Sequence, residues 1–167
     1  MNSSIRAFER RDTDAVVALW DEAGLTRPWN DPRADIERKL AVQPELFLVA
    51  VEGAVAVDAV APEDAVAPDA VAPEAAVAPE RIVGSVMAGY DGHRGWLYYL
   101  ASASDRRGAG IGRALVAEAE RLLLAMGCPK VQLMVRVGNE QVLGFYDALG
   151  YERFEVGNTG KRLIHDA

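Results

Sequence analysis

Asp105-Arg106-Arg107-Gly108-Ala109-Gly110-Ile111-Gly112-Arg113-Ala114-Leu115 (DRRGAGIGRAL) sets three glycines at alternate positions, behind two arginines and ahead of an apolar helical pattern. Glycines let backbone N–H groups approach an oxyanion closely, and a helix N-terminus adds partial positive charge, so the stretch invites a phosphate. Three kinds of phosphate loop compete for it. A Walker loop needs Gly-Lys-Ser/Thr, and Gly112-Arg113-Ala114 stands there instead. A dinucleotide GxGxxG begun at Gly108 meets Arg113 where its third glycine belongs; begun at Gly110 it meets Leu115. What remains is Arg107-Gly108-Ala109-Gly110-Ile111-Gly112, of the form R/Q-x-x-G-x-G/A. A tight strand-to-helix turn uses such glycines for structural reasons alone, so the loop needs a second feature beside it.

That feature is Asn139-Glu140-Gln141-Val142-Leu143-Gly144-Phe145-Tyr146-Asp147-Ala148-Leu149-Gly150-Tyr151, one helix and one strand downstream. The pair of motifs, in this order and at this separation, resembles the two signatures of the GNAT acyl-CoA N-acyltransferase superfamily. The second reads N-x-x-A/V-x-x-F/L-Y-x-x-x-G-F/Y. Elsewhere, Thr26–Pro32, Asp35–Lys39, Tyr90–Gly95, Gly127–Lys130 and Gly160–Ile164 look like the YpeA-type bacterial acetyltransferases. The resemblance implies an α/β fold with a central, mixed, mostly antiparallel sheet flanked by about four helices. It also implies acetyl-CoA as cosubstrate, an amine as acceptor and no metal.

Carried onto this chain residue by residue, the resemblance has Leu100, Ala101 and Ser102 pair through their backbones with the pantetheine arm. The amides from Arg107 through Gly108, Ala109, Gly110, Ile111 and Gly112 to Arg113 hold the pyrophosphate. Asn139 reaches the pantetheine or caps the following helix. Ser102, the pair Ala103-Ser104 and Arg106 depart from the residues most members carry. Tyr146 is the catalytic candidate, a proton donor to the departing thiolate, with a half-buried packing residue as the alternative. The attacking amine must be neutral. Glu, the usual family base on the strand WLYYLAS, is absent, which leaves Tyr98, Tyr99, His93 and Asp91 open. The acceptor side of such a fold draws on Arg27, Trp29, Asn30 and Asp31 and, in the later hairpin, on Asp91 and His93. The leading expectation is an N-acetyltransferase for a small-molecule amine. A protein N-terminal or lysine acetyltransferase and a non-catalytic acyl-CoA sensor are the alternatives.

Composition agrees with a single domain over 1–167, long enough to bury a core. Of the net charge of −7, six negative charges fall within residues 54–80 and the remainder carries −1. That near-neutral remainder has no basic stripe, which argues against nucleic acid as partner. Residues 54–80 repeat Val-Ala-Pro-acid units with prolines every five or six positions. Each proline removes a donor and pushes its predecessor out of the helical region, so an extended, disordered hairpin loop is expected. One cysteine, Cys128, rules out an internal disulfide and reads as a small buried residue. No run of about 18 apolar residues suggests a membrane span, and the N-terminus lacks a signal-peptide pattern. The expected location is the cytoplasm, as a monomer or homodimer.

Periodicity places strands at Ser4–Phe8, Glu45–Val51, Arg81–Tyr90, Trp96–Ser102, Lys130–Val137, Tyr151–Val156 and Lys161–Ile164. It places helices at Thr13–Ala23, about Pro32 to Ala41, Ile111–Met126 closed by Gly127, and Asn139–Leu149.

Overall fold

Four antiparallel strands in chain order form most of the sheet: β1 (Ser4–Ala7), β2 (Phe47–Glu52), β3 (Arg81–Tyr90) and β4 (Gly95–Ser102). β5 (Val131–Gln132) then adds parallel to β4. Four α-helices accompany it: α1 (Thr13–Glu22), α2 (Pro32–Ala41), α3 (Ile111–Ala125) and α4 (Glu140–Asp147). This is the mixed, mostly antiparallel α/β architecture that the motifs imply. The computed structural model describes residues 3–53, 80–164 and 166.

The apolar run Phe47–Val51 is buried along its whole length, as a strand covered on both faces requires. Neighbouring residues on β3 show what covers it. A Cβ on Gly84 would stand 2.6 Å from Ile111 and 2.9 Å from Leu115, so this face carries α3. Ser85 points to the opposite face, where its hydroxyl accepts from the buried Trp20 indole of α1 at 2.8 Å. Likewise a Cβ on Gly95 would meet Cys128 Sγ at 2.8 Å, so glycine lets β4 lie close under the chain that follows α3. Cys128 is a buried free thiol.

Helix ends follow local chemistry. Pro32 opens α2 behind Asp31, whose side chain accepts from Arg33 N at 2.8 Å. Gly127, at φ +80°, closes α3: its N–H reaches Leu124 O and that of Cys128 reaches Leu123 O. These two bonds are a Schellman cap.

β4 is not regular. Met87 faces Tyr98 and Ser85 faces Ala101, so two residues of β4, Tyr99 and Leu100, oppose the single Val86. The extra residue is absorbed at Tyr99, which takes φ +53°. A bulge of this kind puts Tyr98 and Tyr99 on the same face of the sheet, the face of α1 and α2. Tyr99 stacks there on Trp20 at 4.1 Å between centroids.

Three expected strands differ. The expected strand 130–137 is reduced to Val131–Gln132, while 151–156 and 161–164 form none. Alternation marks a segment that can be half buried, but a strand needs a neighbour to bond. Beyond Gln132 the chain leaves β4, and Phe154, Val156, Leu163 and Ile164 stay exposed. Residues 45–46 belong to a 3₁₀ turn (Pro44–Leu46) that precedes β2. The reading of 54–80 falls outside the described residues, apart from Glu80. Glu80 pairs with Arg6, and the paired strands flanking the segment meet at Glu52 opposite Arg81.

Candidate active site

The glycine turn lies between the end of β4 and α3. Gly108 and Gly110 both have φ +81°, in the left-handed region, with nothing within 4 Å of a would-be Cβ. Gly110 is the N-cap of α3. Ala109 N bonds Arg106 O and Ala114 N bonds Gly110 O, which leaves the amides of Gly108, Gly110, Ile111, Gly112 and Arg113 without a backbone partner among the described residues. Arg107 and Arg113 are exposed and make no ion pair among the described residues. Arg106, the atypical flank, behaves otherwise. Its guanidinium takes both oxygens of Glu52 at 2.9–3.1 Å and pairs with Asp105, which also binds Arg81. Arg106 thus ties the turn to the end of β2.

β4 delivers Leu100, Ala101 and Ser102 to this turn. Ala101 and Ser102 pair with Ser85 and Gly84 on one side. On the other side β5 meets β4 at Gly95 and Trp96 alone, so the edge from Leu97 to Ser102 has no strand partner among the described residues. Free backbone groups on that edge can accept an extended ligand as a further strand.

α4 reaches the turn through Phe145, whose ring would lie 3.4 Å from a Cβ on Gly112. The next residue, Tyr146, is 7% exposed, and its hydroxyl makes no hydrogen bond among the described residues. Burial pushes its phenol up to about 12. It lines a cleft of about 710 Å3 with Glu120, Leu143 and Tyr151. Tyr151 packs edge-on against it at 5.2 Å and donates to Glu120 at 2.7 Å. Asn139 is the N-cap of α4, with its side-chain oxygen accepting from Val142 N at 3.4 Å.

The four acceptor-side residues of the α1–α2 loop separate by role. Trp29 is 61% exposed, and Arg27 donates back to Gly24 and Thr26 carbonyls within its own loop. Asp31 caps α2, and its amide bonds Asp166 at 3.0 Å. Asn30 faces the sheet: its side-chain amide donates to Tyr99 Oη at 3.0 Å and to Asp35. Asp91 and His93 occupy the β3–β4 turn. The Asp91 carboxylate takes the Arg94 and His93 amides and the Trp96 indole, which hold it down at about 2. Three such donors fit a turn-forming carboxylate better than a base.

Asp35 falls in one of the stretches that carry the resemblance, but sequence reading assigned it no role in the site. It sits on α2, accepts the Tyr99 hydroxyl at 2.7 Å and pairs with Arg38, which reaches Asp166. The signal within reach was the i, i+3, i+4 spacing of Asp35, Arg38 and Lys39 on one helix face. Burial and then the contact with Asp35 hold the Tyr99 phenol well above its ordinary range, and Tyr98 is raised by burial and by Asp35. Among the described residues no group of three or more His, Cys, Asp or Glu is placed to hold a metal ion, and no helix is long and apolar enough to cross a membrane.

A parallel-edged β4 running into a glycine turn at a helix N-terminus defines the class of fold that acyl-CoA-dependent acyltransferases use. The family model for acetyltransferase (GNAT) matches residues 15–151, and the chain belongs to that family. It is 47% identical to an acetyltransferase of Pectobacterium atrosepticum over 97% of this chain and 96% of the other. Two solved structures share the fold. The NatC complex bound to Gag peptide and CoA aligns at TM-score 0.68 and 23% identity, over 93% of this chain and 87% of that one. AAC(6')-Iy with the bisubstrate analogue CoA-S-monomethyl-acetylneamine aligns at 0.66 and 16%, over 98% and 100%. The protein is accordingly an acetyltransferase of the GNAT type.

Proposed function

We propose that the protein transfers the acetyl group of acetyl-CoA to a primary amine of a small molecule, by direct attack within a ternary complex. The observation that carries this reading is the continuity of two ligand-ready surfaces. The unpartnered edge of β4 leads straight into a turn of unpartnered amides, and both suit one long ligand with a peptide-like arm and a pyrophosphate. Arg107 and Arg113 add uncommitted positive charge beside those amides.

Acetyl-CoA, bound there, supplies an acetyl group activated as a thioester. Leu100, Ala101 and Ser102 offer the pantetheine arm their backbone groups. The free amides of Gly108, Gly110, Ile111, Gly112 and Arg113 receive the phosphates, reinforced by the N-terminus of α3, while those of Arg107 and Ala109 are spent on the Ser104 and Arg106 carbonyls. Asn139 orders the start of α4 and keeps its amide N–H groups available. Tyr146 carries its proton at Oη throughout the physiological range, because burial disfavours the phenolate. It is therefore in place as a hydrogen-bond donor to a departing thiolate, and burial, by raising it to about 12, makes it a weaker acid than a free thiol of about 8.5. The acceptor amine, of pKa about 10.4 if lysine-like, is neutral in about one part in 2,500 at pH 7, so the site has to favour its deprotonation. Tyr98 and Tyr99, held above the ordinary phenol range, stay protonated, and Asp91, held down at about 2 by three donors, is a weak base. The reading places the protein where acetyl-CoA is available, in the cytoplasm.

Release of free CoA from acetyl-CoA, followed with a thiol reagent over a panel of amines, tests this directly. Amine-dependent release that collapses in Tyr146→Phe is expected. Tight binding of acetyl-CoA with no release above the water background for any amine would overturn it.

A further inference from the structure

On the α2 face of the sheet lies a second cleft, of about 520 Å3, between α2 and the paired ends of β3 and β4. Val42, Trp96 and Tyr98 supply its apolar lining, and Asp35 and Tyr99 its polar corner; Met87 is buried, and Tyr90 contributes backbone, its hydroxyl lying against Gly92 and Gly127. Tyr99 belongs to this cleft and also to the bulge that precedes the free edge of β4.

The polar groups around the cleft are almost all committed inside the protein. Gln43 places its amide N–H on Tyr90 O and accepts from Tyr90 N, both at 2.9 Å. Asp91 receives three donors. Lys39, 5% exposed, donates to Ala88 O. Arg38 is shared between Asp35 and Asp166. Asp35, the carboxylate beside Tyr99, has the same 2+1 pattern as Asp91: Oδ2 accepts from Tyr99 and Asn30, and Oδ1 from Arg38 alone. A carboxylate has about four acceptor positions, so one stays open, on Oδ1. The Tyr98 hydroxyl also makes no hydrogen bond among the described residues, and its ring is 41% exposed.

We infer that this cleft is the acceptor site and that it selects a primary amine with a single uncharged apolar arm, the amine against Asp35 and the arm against Tyr98, Trp96 and Val42. The inference rests on the acetyltransferase reading above and adds the chemistry of its acceptor. A site for a polyol or aminosugar presents several convergent polar groups, and here the hydroxyls of such a ligand would lose water without finding partners. A phosphorylated acceptor would meet no uncommitted cation, since Arg38 and Lys39 are both engaged. An aromatic or alkyl arm meets ring faces and the Val42 side chain, a lining it packs against well.

The test uses the full chain with acetyl-CoA and six acceptors: 2-phenylethylamine, hexylamine, spermidine, glucosamine 6-phosphate, neamine and a short peptide with a free N-terminus. The first two are expected to exceed the others in kcat/KM by about 100-fold, the discrimination that a well-matched apolar pocket reaches. Calorimetric titration of 2-phenylethylamine into the CoA-saturated protein should show Tyr98→Ala and Asp35→Asn each weakening it about tenfold. Tyr98→Ala removes a part-exposed ring and keeps the test alive should Asp35→Asn fail to fold. Preference for the polyamine, an aminosugar or the peptide overturns the inference while the acetyltransferase reading stands, and so does titration indifferent to Tyr98→Ala. No release with any acceptor, although acetyl-CoA binds, overturns both.

Discussion

Two glycines at opposite ends of α3 offer a matched perturbation. Gly110 (φ +81°) and Gly127 (φ +80°) share a left-handed backbone, and neither has an atom within 4 Å of a would-be Cβ. Alanine at either therefore meets no clash and faces conformational strain alone. An L-residue there costs about 1–2 kcal/mol, and the stiffer unfolded chain returns about 0.4–1 kcal/mol. Each variant should lose about 1 kcal/mol, or about 3 °C in Tm for a chain of this size. Their effects on acetyl-CoA should diverge. Gly110 lies among the unpartnered amides; a turn that relieves strain by rotating its peptide re-aims the N–H groups of Gly110 and Ile111. Losing one charge-assisted hydrogen bond removes about 1.5–3 kcal/mol, which is about 10- to 150-fold in Kd. Gly127 closes a Schellman cap at the far end of α3 and should leave Kd unchanged. Urea denaturation and calorimetric titration with acetyl-CoA measure both quantities. Kd within twofold of wild type in Gly110→Ala, or an equal loss in Gly127→Ala, would refute the phosphate role of the turn.

Four more outcomes are expected. Tyr146→Phe lowers kcat by roughly 10- to 1000-fold with the acetyl-CoA Kd nearly intact, as steady-state rates and titration will show. Arg106→Ala leaves the Glu52 carboxylate without the guanidinium that holds both its oxygens, and should lower the urea midpoint. Arg113→Ala leaves stability within about 0.5 kcal/mol but weakens acetyl-CoA binding, and flattens its salt dependence. Lys39 is held down to about 8 by burial, below its unfolded value. Between about pH 8 and 10.5 the unfolded chain binds more protons than the folded one, so Lys39 makes stability rise with pH across that window and withdraws it as pH falls through 8. Lys39→Met should flatten the rise, read from urea midpoints at pH 7.5 and 10.

The donor half of the site was legible because its information is local. The glycines of 108–112 need particular backbone angles, and Asn139 to Tyr151 is one helix with its cap. The acceptor half was not. WLYYLAS reads as a plain strand, and nothing in it announces that Tyr99 adopts φ +53° and joins Tyr98 on one face. The bond from Tyr99 to Asp35 spans 64 residues, so a mostly polar helix face hid the carboxylate that matters. Asp91 looked like a free acid until the backbone turn that donates to it was in view. The alternating segments 151–156 and 161–164 carry a strand's pattern without a strand's neighbour, and hydrogen-bonded pairing is not written in one segment's own residues.

A strand stores one bit at every position, up or down, and the bulge in β4 is where that bit is inverted. Upstream of Tyr99 the parity assigns Gly95 and Leu97 to the face of α3; downstream it assigns Ala101 to the face of α1. Deleting any one residue between Trp96 and Ser102 would restore regular parity and put one half of the strand on the wrong face. The connection between Glu52 and Arg81 carries no such frame, since those two residues are paired whatever number lies between them. Within one sheet, then, a change in chain length is neutral at one turn and forbidden two strands away. The length of the β2–β3 connection therefore leaves Tyr98 and Tyr99 in frame on their face of the sheet.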